Sequence, residues 1–222
     1  MALATFQQDD HLGEIVIDSP PQNLYGAQLL ADLRAAVDEA AGSDIRALLL
    51  RAEGDDFSAG AELAVFIGID EPQARELSST VLSLIGAIED LPVPTLALIH
   101  GQCYAGALET CLACDLIWAA EGSQIGQIEA VAGSITYAGG TQRIASRIGV
   151  GRATEMVFTA AILPPEILAS WGLINRVVPA SSLTRRAALS LRPWRTGLLA
   201  LTPRPSECCT PGARAELPPP TP

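Results

Sequence analysis

The chain of 222 residues contains no lysine, and its only histidines are His11 and His100. All 14 basic residues are therefore arginines, against 25 acidic ones, for a formal net charge of −11. That balance argues against nucleic acid as a partner, because a phosphate backbone is held by an excess of basic side chains. No apolar run reaches the length of a bilayer span, so no membrane segment is predicted. The opening MALATFQQDDHLGEIVID lacks a basic stretch followed by an apolar one. No secretory signal is read there, and a cytoplasmic location is expected.

Cysteine is sparse: Cys103, Cys111, Cys114, Cys208 and Cys209. An odd number without an export signal predicts no disulfide framework. Cys111 and Cys114 form a C-x-x-C, but no second pair has metal spacing. They are read as residues of a buried helix, and no metal site is expected.

What is present is a globular composition, 49% apolar and 18% charged, on a chain long enough for one sizeable core. EIVIDSPP reads as a strand ended by two prolines. AQLLADLRAAVDEAAGS and ARELSSTVLSLIGAIEDLP have helical spacing, and the first ends at Gly42. IRALLLRAEG and PTLALIHG are continuous apolar runs, as in strands of a sheet buried on both faces. AGALETCLACDLIWAA reads as a helix running into a strand. TYAGGTQRIASRIG follows with its glycine pair, GRATEMVFTA and PEILASWG read as short helices, and LINRVVP closes as a strand. Strands alternating with helices predict an α/β fold.

After Pro179 the texture changes. Residues 181–222 carry six Arg and two Glu, a charge of about +4 against about −15 for the rest. Eight of the 16 prolines lie between residues 193 and 222. A core domain over 1–180 and an irregular tail over 181–222 are predicted, with a short helix near LTRRAALSL as the alternative for the first part.

Two loops repeat one design of strand, small residues, then helix: LLLRAEGDDFSAGAEL and LALIHGQCYAGALE. A backbone N–H at a helix start is a preformed donor, and small residues let a ligand oxygen reach it. The N–H groups of Ala61 and Gly106 are the candidates for a converging pair. Turn chemistry alone would also use such residues. Glu109 lies in the first turn of the second helix, where a carboxylate also offsets the helix dipole. Glu129, in IGQIEAVAG, sits among apolar neighbours or in a solvated loop. Two carboxylates facing one water would suit acid–base chemistry on an activated acyl group.

These segments resemble the crotonase, or enoyl-CoA hydratase/isomerase, superfamily, over about Glu14 to Pro179. FSAGAEL is similar to the first oxyanion loop of that family, with Ala59, Gly60 and Ala61 against the substrate. LALIHGQCYAGALETCLACDL is similar to its signature segment, GQIEAVAGSITYAGGTQRI to the stretch holding its second glutamate, and WGLINRVVP to its closing segment. The resemblance implies a repeated ββα spiral that binds an acyl-CoA thioester, with coenzyme A as part of the substrate and no separate cofactor. It implies that Ala61 and Gly106 hold the thioester oxygen. Glu109 and Glu129, 20 residues apart, match the two glutamates of the hydratases.

Hydration of a 2-enoyl thioester is the leading reaction on that basis. Another crotonase-type isomerase, hydrolase or decarboxylase, or a binding protein without activity, stays open, as does acyl carrier protein in place of coenzyme A. Glu109 is expected to be the ionised base at a helix N-terminus and Glu129 the group that keeps its proton. The resemblance also implies a homotrimer or hexamer. Four departures stand out. Glu62 replaces a more frequent Asp, and no basic residue follows near Ala64. Ala105 and Ala107 replace glycines beside Gly106. Thr136 and Tyr137 replace a Pro-Gly pair, and Tyr137 is expected to narrow the acyl pocket. The tail does not look like the family's C-terminal helices, which places assembly and activity at risk.

Overall fold

The computed structural model describes residues 2–195. Its main sheet is built from β1 (Ala4–Asp9), β2 (Leu12–Ile17), β3 (Ala47–Ala52), β4 (Thr95–Ile99), β6 (Leu116–Ala120) and β8 (Arg176–Val178), in that spatial order. β1 and β2 are antiparallel, and every later pairing is parallel, for example Leu12 with Ala47 and Leu98 with Trp118. A second layer pairs β5 (Gln102–Tyr104) with β7 (Gln124–Gly126). Isolated bridges extend it from Ser58 to Cys103 and from Ile125 to Leu163. Each turn of the chain thus runs through the main sheet, crosses the small layer and enters a helix. This is the spiral that the resemblance implies.

α1 (Ala27–Ala41) ends at Gly42, and α2 (Glu71–Glu89) starts from Asp70, whose side chain and that of Gln73 form a reciprocal capping box. α3 (Gly106–Leu112) follows β5, and α4 (Gly140–Ile148) and α5 (Val150–Thr159) follow β7. α6 (Pro165–Trp171) opens on proline and stops at Gly172, at φ 92°. α1, α2, α3, α5 and α6 lie where the sequence reading places helices, and α4 is an addition to it. None of the described helices is long and apolar enough to cross a membrane. β1, β5 and β7 were not legible as strands. β1 is mostly polar (ATFQQD) on its outer edge, and β5 has three residues, too few for a period.

The apolar runs of β3 and β4 are buried on both faces. On one face Leu48, Leu50, Ala97 and Ile99 meet the helices α1 to α3 in the larger core. On the other, Leu49, Leu96, Leu98 and Trp118 form a second core. Its cover is the helix near LTRRAALSL, the alternative left open for the first part of the tail. α7 (Leu183–Ser190) and the short α8 (Arg192–Arg195) are helical rather than irregular. Leu183, Ala187 and Leu191, four apart along one helical face, pack on that second core. The physical reason is that a two-faced apolar sheet needs a layer on each side. The remainder of the expected tail, 196–222, lies outside the described residues.

Cys103, Cys111 and Cys114 are buried free thiols, with the Sγ atoms of Cys103 and Cys111 3.9 Å apart. Burial pushes the Cys111 and Cys114 thiols up, which leaves them inert packing residues.

Candidate active site

The first loop is held by residues that sequence reasoning missed. Asn23 is fully buried with φ 50°, a left-handed conformation that asparagine tolerates. Its Oδ1 accepts the Ser19 N–H at 2.7 Å, and its Nδ2 donates to Glu53 O and Asp56 O, each at 2.9 Å. Ser58 Oγ donates to Asn23 O at 2.7 Å and accepts the Gly60 N–H at 3.1 Å. Ala59 N–H donates to Gln22 O at 3.0 Å, and Glu62 N–H to Tyr25 O at 3.1 Å. Every amide around Ala61 is therefore committed, while the Ala61 N–H has no partner among the described residues.

The second loop is pinned to the first. Tyr104 N–H donates to Ser58 O at 3.1 Å and Ala105 N–H to Gly126 O at 2.9 Å. Ala105 takes φ 53° and ψ −126°, a strained conformation for a residue with a Cβ. The next residue, Gly106, opens α3, so its N–H has no acceptor within the helix. The two loops touch: a Cβ on Gly60 would lie 3.0 Å from Tyr104 O and 3.3 Å from the Ala105 Cβ. Ala61 and Gly106 are each one residue beyond this contact. Ala59, Ala61 and Gly106 all line one cavity of about 500 Å³.

Both glutamates and Tyr137 border the same cavity. Glu109 is 1% exposed, and its Oε1 accepts the Gly140 N–H at 2.8 Å at the start of α4. Burial pushes this carboxyl up to about 7, against the lowering effect of the Gly140 amide and with a further push from Glu129. This differs from the ionised Glu109 expected from its place in a helix. A dipole decides the charge of an exposed first-turn carboxylate, but here loss of water outweighs it. Glu129 begins a short 3-10 turn (Glu129–Ala132), and burial pushes it up too. Its Oε1 lies 3.4 Å from Gln127 Nε2, while its Oε2 is buried with no hydrogen-bond partner among the described residues. Gln127 is fully buried, with a second contact of 3.4 Å to Thr136 Oγ1, and its own Oε1 also lacks a partner. Burial raises the Tyr137 phenol, with additional effects from Glu109 and Glu129.

The remaining wall is apolar, with Leu30, Leu77, Val81 and Leu84 on it. Leu63, Val131 and Ile135 also line it but are 65%, 81% and 73% exposed, which places them at the mouth. Among the described residues, no arginine or histidine lines the cavity. The arrangement offers two unpartnered amides, two protonatable carboxyls and apolar room. Sequence reasoning found those four groups and missed Asn23, Ser58, Gln127 and Gly140. The Gly139-Gly140 pair was visible, but its closeness to Glu109 is a tertiary contact.

A spiral of strand-strand-helix turns, with two small-residue loops opening helices onto an apolar cavity with paired carboxyls, defines the crotonase class of protein. The chain belongs to the Enoyl-CoA hydratase/isomerase family, whose pattern its residues 7–200 match. It is similar to an enoyl-CoA isomerase/hydratase, fer4, of Mycosarcoma maydis, with 41% identity over 138 residues, covering 62% of this chain and 50% of that protein. It is also similar to the mitochondrial methylglutaconyl-CoA hydratase of Mus musculus, with 36% identity over 160 residues, 71% of this chain and 51% of that one. The chain thus spans about half the length of these relatives. Among solved structures, an enoyl-CoA hydratase from Bacillus anthracis superposes with a TM-score of 0.82 at 31% identity, covering 86% of this chain and 76% of that one. One from Geobacillus kaustophilus gives 0.84 at 27%, covering 88% and 75%.

Proposed function

We propose that the protein is an enoyl-thioester hydratase that adds water across the 2,3 double bond of a 2-enoyl-CoA. The observation that carries this reading is that one cavity is bordered by the two unpartnered amides, Ala61 and Gly106, and by both Glu109 and Glu129. The amides receive the thioester oxygen. Conjugate addition moves negative charge onto that oxygen, and donors fixed in advance stabilise it without reorganisation. The strain at Ala105 and the Asn23 and Ser58 hydrogen bonds hold those donors in place.

Water attacks Cβ while a glutamate takes its proton, and the other glutamate supports delivery of a proton to Cα. Glu109 is assigned as base, because a group that titrates near 7 combines an ionised population with driving force for proton transfer. Glu129, with a buried oxygen that has no hydrogen-bond partner among the described residues, is assigned to the proton delivered to Cα. The two titrate as a coupled pair. Coenzyme A is part of the substrate in this reading, and the protein supplies all reacting groups itself. Self-association into a trimer or hexamer accompanies it.

The test is loss of enoyl-thioester absorbance with crotonyl-CoA, with identification of the 3-hydroxyacyl product. Glu109→Gln and Glu129→Gln are each expected to slow turnover by about 100-fold or more. Near-normal hydration by both variants would sink the assignment. Binding of crotonyl-CoA without turnover by the unaltered chain would point to a binding protein on the same fold.

A further inference from the structure

The turn that meets Glu109 is held from behind by an arginine. Arg143 lies one turn into α4, with only 20% of its side chain exposed. Its Nη1 donates to Ala138 O at 2.8 Å, its Nε donates to Glu89 Oε1 at 2.7 Å, and its Nη2 donates to Glu89 Oε2. Its backbone N–H donates to Gly139 O at 3.0 Å. Gly139 takes φ 96°, and a Cβ there would collide with Arg143 Nη1, so the guanidinium is packed directly on the turn. Glu89 is the last residue of α2, the helix whose Leu77, Val81 and Leu84 line the cavity. The planar fork of a guanidinium takes a carboxylate with two bonds and still has a donor for a carbonyl, which a single ammonium group does not match.

We propose that Arg143 is a positioning residue, holding the 138–140 turn against Glu89 so that the Gly140 N–H meets the Glu109 carboxyl. Gly140 is two residues beyond Ala138, and its N–H lies 2.8 Å from Glu109 Oε1. Ala138 is 1% exposed, so removing the guanidinium leaves the carbonyl of a buried residue without its donor, a cost that the turn escapes by moving. The Gly140 amide moves with it. Arg143 does not line the cavity, so its effect passes through the turn and not through contact with a substrate. The charged groups that act on the Glu109 carboxyl are Glu129, which pushes it up, and Arg143, which lowers it, while Tyr137 responds to its charge. The inference rests on the reading of Glu109 as a reacting group of an enoyl-thioester hydratase.

The test is crotonyl-CoA hydration by the full chain, read as kcat and KM across pH. Arg143→Gln is expected to lower kcat by about 10- to 100-fold while KM stays within about threefold. The acid limb of its pH profile should move to higher pH, because losing an amide donor and a positive charge both favour the protonated carboxyl. Arg143→Lys should regain part of the rate, and Glu89→Gln should give a milder loss in the same direction. Arg75→Gln is the control: its pair with Glu71 is exposed on the same α2, so neither kcat nor the profile should change. A normal kcat and an unshifted profile in Arg143→Gln, with only a lower melting temperature, overturn the proposal and leave Arg143 a staple between α2 and α4. If that variant does not fold, normal kinetics in both Arg143→Lys and Glu89→Gln overturn it equally. If the unaltered chain does not hydrate crotonyl-CoA, the hydratase reading fails, and the positioning is read from urea unfolding instead. The decline of stability with pH that Glu109 produces should extend to higher pH in Arg143→Gln, and a decline that stays in place overturns the positioning.

Discussion

Glu109 Oε1 accepts the Gly140 N–H at 2.8 Å, joining a carboxyl on α3 to the first residue of α4. A larger residue at this position has to displace its neighbours. A Cβ on Gly140 would lie 2.7 Å from Gln127 Nε2, 2.8 Å from Thr136 Cγ2 and 2.9 Å from Glu109 Cγ.

Gly140→Ala is therefore expected to displace both the Glu109 carboxyl and the Gln127 amide. Overpacking of this kind costs about 1–3 kcal/mol of stability. Turnover should fall by about 10-fold or more, because small misplacements of a catalytic group are costly. Gly151→Ala on α5 is the control, since nothing lies within 4 Å of its added methyl. It should be neutral or slightly stabilising in a denaturant titration.

Stability should depend on the protonation of Glu109. Its carboxyl titrates near 7 in the folded chain against an ordinary 4.5. Between those values the folded state binds more protons than the unfolded one, so stability is full below about pH 4.5 and falls as pH rises through 7. The loss is on the order of 3 kcal/mol. Urea unfolding across this range should show the decline, and Glu109→Gln should flatten it. An unchanged slope in that variant would place the effect elsewhere.

Ala105 holds φ 53° and ψ −126°. Glycine adopts this conformation without strain. Ala105→Gly is expected to raise stability by roughly 1 kcal/mol or less, since the more flexible unfolded chain offsets part of the gain. Ala105→Val should lower it by more. Thermal melts of the three forms, run with crotonyl-CoA kinetics, show whether relaxing the loop also loosens the amide of Gly106.

Leu183 is 5% exposed and packs with Trp118 and Leu98 in the core on the second face of the sheet. Leu183→Ala should destabilise the protein by about 2–5 kcal/mol. Arg185→Ala on the same helix is exposed and should cost little. Equal, small effects from both would show that α7 is dispensable as a cover.

The sequence by itself determined the local structure and the identity of the reactive groups. Apolar runs such as Leu48–Leu50 and Leu96–Ile99 dictate strands buried on both faces. The 3.6-residue spacing dictates α1 and α2, and the small residues before Ala61 and Gly106 mark the places where a backbone is left open. These are short-range properties, written within a turn or a few residues of chain. Only the tertiary structure decided what those groups meet. Glu109 and Gly140 are 31 residues apart in sequence, and no local pattern encodes their contact. Burial, a property of the whole packed core, overrode the helix dipole at Glu109 and set its proton affinity. The same holds for Leu183 and Leu191: a short helix near LTRRAALSL was one of two open readings, and the uncovered face of the sheet is what decided for a helix packed on a core.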